Sequence, residues 1–161
     1  MTHDALKPIV FGLLTCLLWN CKADHQNFDR VVYRYSDSAI DPSFYRSYTI
    51  TWQAEGKGTI SVDVYGDTIA QQNFDVKTAH FKKLKKLSMS LQSAGRYTSE
   101  ASGTSHQLIQ LTNQGQSVYK RYWDNLNKED GATKAVVDFI KTNTPSLQKL
   151  LATPYKKNNR R

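Results

Sequence analysis

The stretch Tyr48-Thr49-Ile50-Thr51-Trp52-Gln53 alternates apolar and polar residues without a break. Side chains on a strand point to opposite faces in turn, so such a segment has one buried face and one wet face. Ile60-Ser61-Val62-Asp63-Val64 repeats the pattern, and Ala54-Glu55-Gly56-Lys57-Gly58 between them reads as a hairpin turn. A sheet built from these strands needs a second layer on its apolar side only.

The rest of the chain supplies both layers. Arg30-Val31-Val32-Tyr33-Arg34-Tyr35 reads as a first strand, and a turn at Tyr65-Gly66-Asp67 leads into a weaker fourth strand over 68–74. The period then changes. Over 78–91, Phe81, Leu84, Leu87 and Leu91 recur near helical spacing with lysines between them, which predicts an amphipathic helix. Asp75 or Thr78 can cap its start, and Gly95 lies just past its end. Residues 93–105 form a long connection rich in Ser, Gly and Thr. A second hairpin follows, with strands over 107–112 and 117–123 joined by Asn113-Gln114-Gly115-Gln116. A polar loop leads to a helix over 132–142 with Ala135, Val136, Phe139 and Ile140 as its apolar stripe. Thr144-Pro145 ends that helix, and Pro145 can open a short third one that docks Leu147, Leu150 and Leu151. The order ββββ-α-ββ-α predicts an α+β fold, a two-layer sandwich of one antiparallel sheet with its helices on one face.

The N-terminus carries a different signal. Pro8-Ile9-Val10-Phe11-Gly12-Leu13-Leu14-Thr15-Cys16-Leu17-Leu18-Trp19-Asn20-Cys21 is an apolar run that ends on a cysteine and gives way to Lys22-Ala23-Asp24-His25-Gln26-Asn27. A bilayer core needs about 20 apolar residues, and this core of about 12 suits a cleaved secretory signal instead. The pattern predicts a lipoprotein leader over 1–20, a lipidated Cys21 with a tether over 21–28, one domain over 29–153 and a basic tail over 154–161. Cys16 is the alternative acceptor, but the apolar run continues past it through Leu17, Leu18 and Trp19. The head segment departs from the usual signal, because Asp4 offsets Lys7. Both cysteines of the chain lie in its first 21 residues, so the domain has no thiol for a disulfide, a metal or a nucleophile. Several acyl chains on one cysteine anchor stably where a single chain binds marginally.

Phe28-Asp29-Arg30-Val31-Val32-Tyr33-Arg34-Tyr35, Tyr45-Arg46-Ser47-Tyr48-Thr49-Ile50-Thr51 and Val64-Tyr65-Gly66-Asp67 resemble a set of small, functionally uncharacterised bacterial lipoproteins of the Bacteroidetes type. The resemblance implies an outer-membrane lipoprotein, periplasmic or surface-exposed, and the fold above. It carries over no site.

Few residue patterns in the chain suit reaction chemistry. The sequence has no Gly-x-Ser-x-Gly elbow and no His-Glu-x-x-His. The pair Ser105-His106 is the one candidate for a hydrolase, a reading kept as an alternative. Residues 124–131 superficially resemble a calcium loop, but no acid follows Gly131 until Asp138, so they read as an acidic turn. No cofactor, metal site or catalytic residue is assigned. Net charge is +8, with Lys82, Lys83, Lys85 and Lys86 in one segment and Lys156, Lys157, Arg160 and Arg161 in the tail. In an envelope, anionic lipid or acidic glycan is a more available partner than nucleic acid. Aromatic and basic residues interleave in Tyr33-Arg34-Tyr35 and Tyr119-Lys120-Arg121-Tyr122-Trp123. The sequence therefore predicts a lipid-anchored protein that binds an envelope protein or an acidic glycan without catalysis. Arg34, Thr49, Thr51, Gln53, Ser61, Asp63 and Arg121 would form its wet sheet face. An inhibitor or immunity protein against a secreted enzyme or toxin is the other alternative.

Overall fold

A computed structural model describes residues 27–37, 41, 44–91, 105–124 and 130–155. The leader with both cysteines, most of the tether and of the 93–105 connection, the 125–129 segment and the basic end from 156 lie outside the described residues, as does Gly95.

The chain runs β1 (Arg30–Ser36), β2 (Ser47–Gln53), β3 (Lys57–Val64), β4 (Asp67–Asp75), α1 (Thr78–Ser88), β5 (His106–Asn113), β6 (Gln116–Asp124), α2 (Gly131–Thr142) and α3 (Leu147–Leu151). The strands form one six-stranded sheet in the order β4-β3-β2-β1-β5-β6, and every neighbouring pair is antiparallel. The fold is therefore α+β. The first four strands meander from the centre to one edge. The chain then passes through α1 and returns to place β5 against the free side of β1. Two hairpins close on two-residue turns, Tyr65-Gly66 and Gln114-Gly115. All four of these residues have positive φ, the twist that matches the strands they join.

Cross-strand partners share a face, so the register sorts the sheet into rows. The inner face carries Trp123-Gln107-Tyr35-Tyr48-Val62-Ala70, then Arg121-Ile109-Tyr33-Ile50-Ile60-Gln72, then Tyr119-Leu111-Val31-Trp52-Gly58-Phe74. Most of these side chains are buried. The helices pack on this face. Phe81 of α1 meets Phe28 at 5.5 Å between ring centroids, and Phe139 of α2 stands edge-on to Trp52 at 6.1 Å. His80 of α1 lies at 6.4 Å from Trp52 and 6.0 Å from Phe139. Trp52 is fully buried, and its indole Nε1 donates to Thr144 Oγ1 at 3.2 Å. Thr144 in turn donates to the Ile140 carbonyl at 2.8 Å, which ties the end of α2 to the middle of the sheet.

Several local expectations need correction. The sequence reading puts Phe28 in the tether, yet its side chain is buried in the core against Phe81. In α1 neither Asp75 nor Thr78 is the cap; Lys77 takes that position with no side-chain bond to the helix. The helix stops at Ser88, and Leu91 is buried from the turn beyond it. In α2 the covered residues are Thr133, Val136, Val137 and Ile140, while Ala135 faces solvent. The helical repeat that places Val136 and Ile140 inward rotates Val137, rather than Ala135, into the seam. Pro145 stands before α3 rather than inside its first turn, because Ser146, at φ +60°, is the residue that opens the helix.

The C-terminal element is fastened by an arginine. Arg46 Nε donates to the Leu151 carbonyl at 3.2 Å, Nη2 to the Thr153 carbonyl at 3.2 Å and Nη1 to the Tyr45 carbonyl at 2.6 Å. One guanidinium thus holds the end of α3 against the entry to β2.

Candidate binding face

The other face of the sheet has no helix on it among the described residues. Its rows follow from the same register. One is Tyr122-Leu108-Arg34-Thr49-Ser61-Gln71, and the next is Lys120-Gln110-Val32-Thr51-Thr59-Asn73. Arg30 and Gln53 pair at one end and Asp63 lies at the other. Arg30, Arg34, Lys120, Tyr122, Gln71 and Asn73 are exposed, while Thr49, Thr51, Thr59, Ser61, Gln53 and Gln110 are half-buried by their neighbours in the sheet.

Six of the seven residues expected on the wet face are brought together here: Arg34, Thr49, Thr51, Gln53, Ser61 and Asp63. The centre is a square of hydroxyls, with Thr49 opposite Ser61 and Thr51 opposite Thr59. Direct neighbours across an antiparallel pair stand about 4.5–5.5 Å apart at Cβ. Thr59 Oγ1 donates to Asn73 Oδ1 at 3.2 Å, and Thr68 Oγ1 donates to Asp63 Oδ1 at 2.6 Å. The cations gather on β1 and β6, where Lys120 Nζ lies 5.0 Å from the centroid of the Tyr122 ring. At the Arg30 end the face runs into a hollow of about 410 Å³ lined by Asp29, Gln53, Glu55 and Thr112 among others. Asp29 shapes that end, since its carboxylate accepts from the Gln114 backbone N–H at 2.8 Å and its carbonyl from that of Ala54 at 2.7 Å.

Arg121 is the exception. It pairs with Ile109 and alternates with buried Tyr119 and Trp123, so it points to the helix side. There it forms an ion pair with Asp130, which also caps α2 by accepting from the Thr133 N–H at 2.7 Å. Partial burial pushes the Asp130 carboxyl up, but the Thr133 bonds and the Arg121 guanidinium outweigh it and hold the group below the ordinary aspartate range. Both oxygens of this member of the acidic turn are thereby engaged. Among the described residues no three or more His, Cys, Asp or Glu side chains gather as a metal site.

Sequence reasoning missed Arg30, Thr59, Lys120 and Tyr122. Thr59 was legible from its alternation with Ile60. Lys120 and Tyr122 were hidden because β6 places an aromatic on each face. The signal was parity: taking Tyr119 and Trp123 inward forces Arg121 inward and Lys120 and Tyr122 outward.

The Ser105-His106 pair stands at the entry to β5. Ser105 is buried, and its Oγ accepts from the Tyr35 hydroxyl at 3.2 Å. His106 is in register with Ser36 on one side and Asp124 on the other. None of the described helices is long and apolar enough to cross a membrane. No family model matches this chain, and neither the curated proteins nor the solved structures contain a match to it.

Proposed function

We propose that this chain is a lipid-anchored binding protein of the cell envelope, tethered through Cys21 and contacting its partner with the helix-free face of the sheet. The observation that supports this reading is the asymmetry of the two layers. The three described helices gather on one side. The other side offers a flat array of hydroxyls and amides bordered by Arg30, Arg34 and Lys120 and by the exposed ring of Tyr122. Hydroxyls and amides can exchange hydrogen bonds with a glycan or a protein edge, and the cations favour a partner with carboxylates or other anions.

The test is recovery of partners from detergent-solubilised membranes. Arg34→Glu, and separately Thr49→Val with Thr51→Val, lower recovery at least about tenfold and leave the urea midpoint within the small range of surface substitutions. Arg121→Ala, on the other face, leaves recovery unchanged. Undiminished recovery with both outer-face variants would refute the assignment of the face. A chain still tethered after Cys16→Ala and Cys21→Ala would refute the anchor. Turnover of an ester or amide that disappears with His106→Ala would replace binding by hydrolysis.

A further inference from the structure

Helix α1 has a charge pattern that its packing leaves unsatisfied. Residues 76–99 contain no Asp or Glu, and Lys77, Lys82, Lys83, Lys85 and Lys86 fall within ten residues of one another. Phe81 and Leu84 turn into the core, which fixes the helix on the sheet and leaves its other side to solvent. Lys77, Lys82, Lys83 and Lys86 are exposed, and Lys85 is half-buried with its ammonium 5.5 Å from the Phe28 ring centroid. The carboxylates of Glu55, Asp130 and Asp138 pair with Lys57, Arg121 and Lys134, and none of the five lysines joins an ion pair among the described residues. Lys82 stands three and four residues before Lys85 and Lys86, a spacing at which like charges repel. Lys83 and Lys85 lie over the Phe139 and Phe28 rings, and Lys85 and Lys86 occupy the last turn, where the helix dipole favours cations, but no carboxylate among the described residues pairs with the cluster.

We infer that the lysine side of α1 docks on a membrane surface of anionic lipid headgroups. Charge complementarity selects the occupant. Phe81 and Leu84 are committed to the core, so what α1 offers to a surface is chiefly its lysines, with Met89 exposed at its C-terminal end. Attraction of that kind is electrostatic, weakens steeply with salt and adds up roughly lysine by lysine. The contact also orients the domain. Because α1 lies on the inner face of the sheet, docking it turns the helix-free face away from the lipid, where a partner can reach it. The inference shares a membrane location with the proposed function, but it needs neither the lipid on Cys21 nor any partner.

The experiment is co-sedimentation of the full chain with vesicles of phosphatidylcholine alone and with about one-third phosphatidylglycerol. The difference between the two isolates the electrostatic contribution from any insertion by the apolar leader. The wild-type chain partitions more strongly to the anionic vesicles, and the preference collapses when salt is raised from about 0.05 to 0.5 M. Lys82→Glu with Lys83→Glu removes the preference, by at least about 25-fold at low salt if each lysine contributes roughly fivefold. The same variant keeps or raises its thermal midpoint, because the first substitution sets a carboxylate four residues before Lys86, the favourable orientation for a helical ion pair. Loss of binding in a chain that is no less stable separates docking from unfolding. Equal partition of the wild-type chain to both vesicles, or an anionic preference that survives in the variant, would overturn the inference. Retention of duplex DNA with no vesicle preference would also overturn it, in favour of nucleic acid.

Discussion

Asp130 ties helix α2 to strand β6, and the cost of removing it can be worked from its contacts. One carboxylate oxygen caps α2 at Thr133 and the other meets Arg121, whose position on the helix side depends on the β5–β6 register. Loss of an aspartate cap costs about 0.5–2 kcal/mol. The ion pair is partly open to solvent, with side-chain exposures of 20% and 40%, so screening limits it to about 0–1 kcal/mol. Asp130→Ala should therefore destabilise by about 0.5–3 kcal/mol. Asp130→Asn keeps an oxygen for Thr133 and loses only the charge, and should cost less than about 1 kcal/mol. Urea titration followed by the fluorescence of buried Trp52 and Trp123 measures both, with unchanged slopes. The pH dependence has a definite sign. A carboxyl held below its ordinary value stabilises fully above about pH 4 and loses that contribution as pH falls through its lowered folded value. The gap between wild type and Asp130→Asn should stay constant from about pH 5 to 8 and close in the acid limb. Equal costs for Asn and Ala, with a gap that ignores pH, would refute both the ion pair and the inward placement of Arg121.

The packing fixes three further outcomes. Burial raises the Tyr48 hydroxyl to about 12, with Tyr33 lowering it slightly and Tyr35 raising it again, so the unfolded chain releases this proton first. Stability should fall between about pH 10 and 12, and Tyr48→Phe should flatten that slope in alkaline urea titrations. Thr144→Val leaves the Trp52 indole N–H without its acceptor in the core and should cost about 1–3 kcal/mol. A double-mutant cycle with Trp52→Phe should be clearly non-additive. Arg46→Ala should raise amide exchange over 147–153 at least about tenfold, and Arg46→Lys should rescue it poorly, because a single ammonium cannot span the three carbonyls.

Legibility in the sequence tracked the physical period of each element. Tyr48-Ile50-Trp52 and Ile60-Val62-Val64 announce their strands because one face is apolar and the other is not, and the observed β2 and β3 contain both runs. The switch to helical spacing at Phe81 and Leu84 was equally plain. Strand order was not legible. That β5 returns to the free side of β1 depends on a crossover between distant segments, such as the 74 residues that separate Tyr33 from its acceptor Gln107. Ends were set by contacts that composition does not encode, such as Phe28 against Phe81 and Ser146 in the left-handed region. Six of the seven wet-face residues needed only parity. Arg121 failed because Tyr119-Lys120-Arg121-Tyr122-Trp123 gives each face of β6 an aromatic.

The place of β1 has a mechanical meaning. It is the first described strand, yet it lies inside the sheet, bonded along its length to β2 on one side and β5 on the other. A load applied at Asn27 acts along the axis of this strand. To move, the strand must slide against both ladders together and drag Phe28 out from under Phe81, whereas an edge strand would open like a zipper, one bond at a time. A domain held by its leading end is thus gripped through the part of its sheet that yields last to a pull.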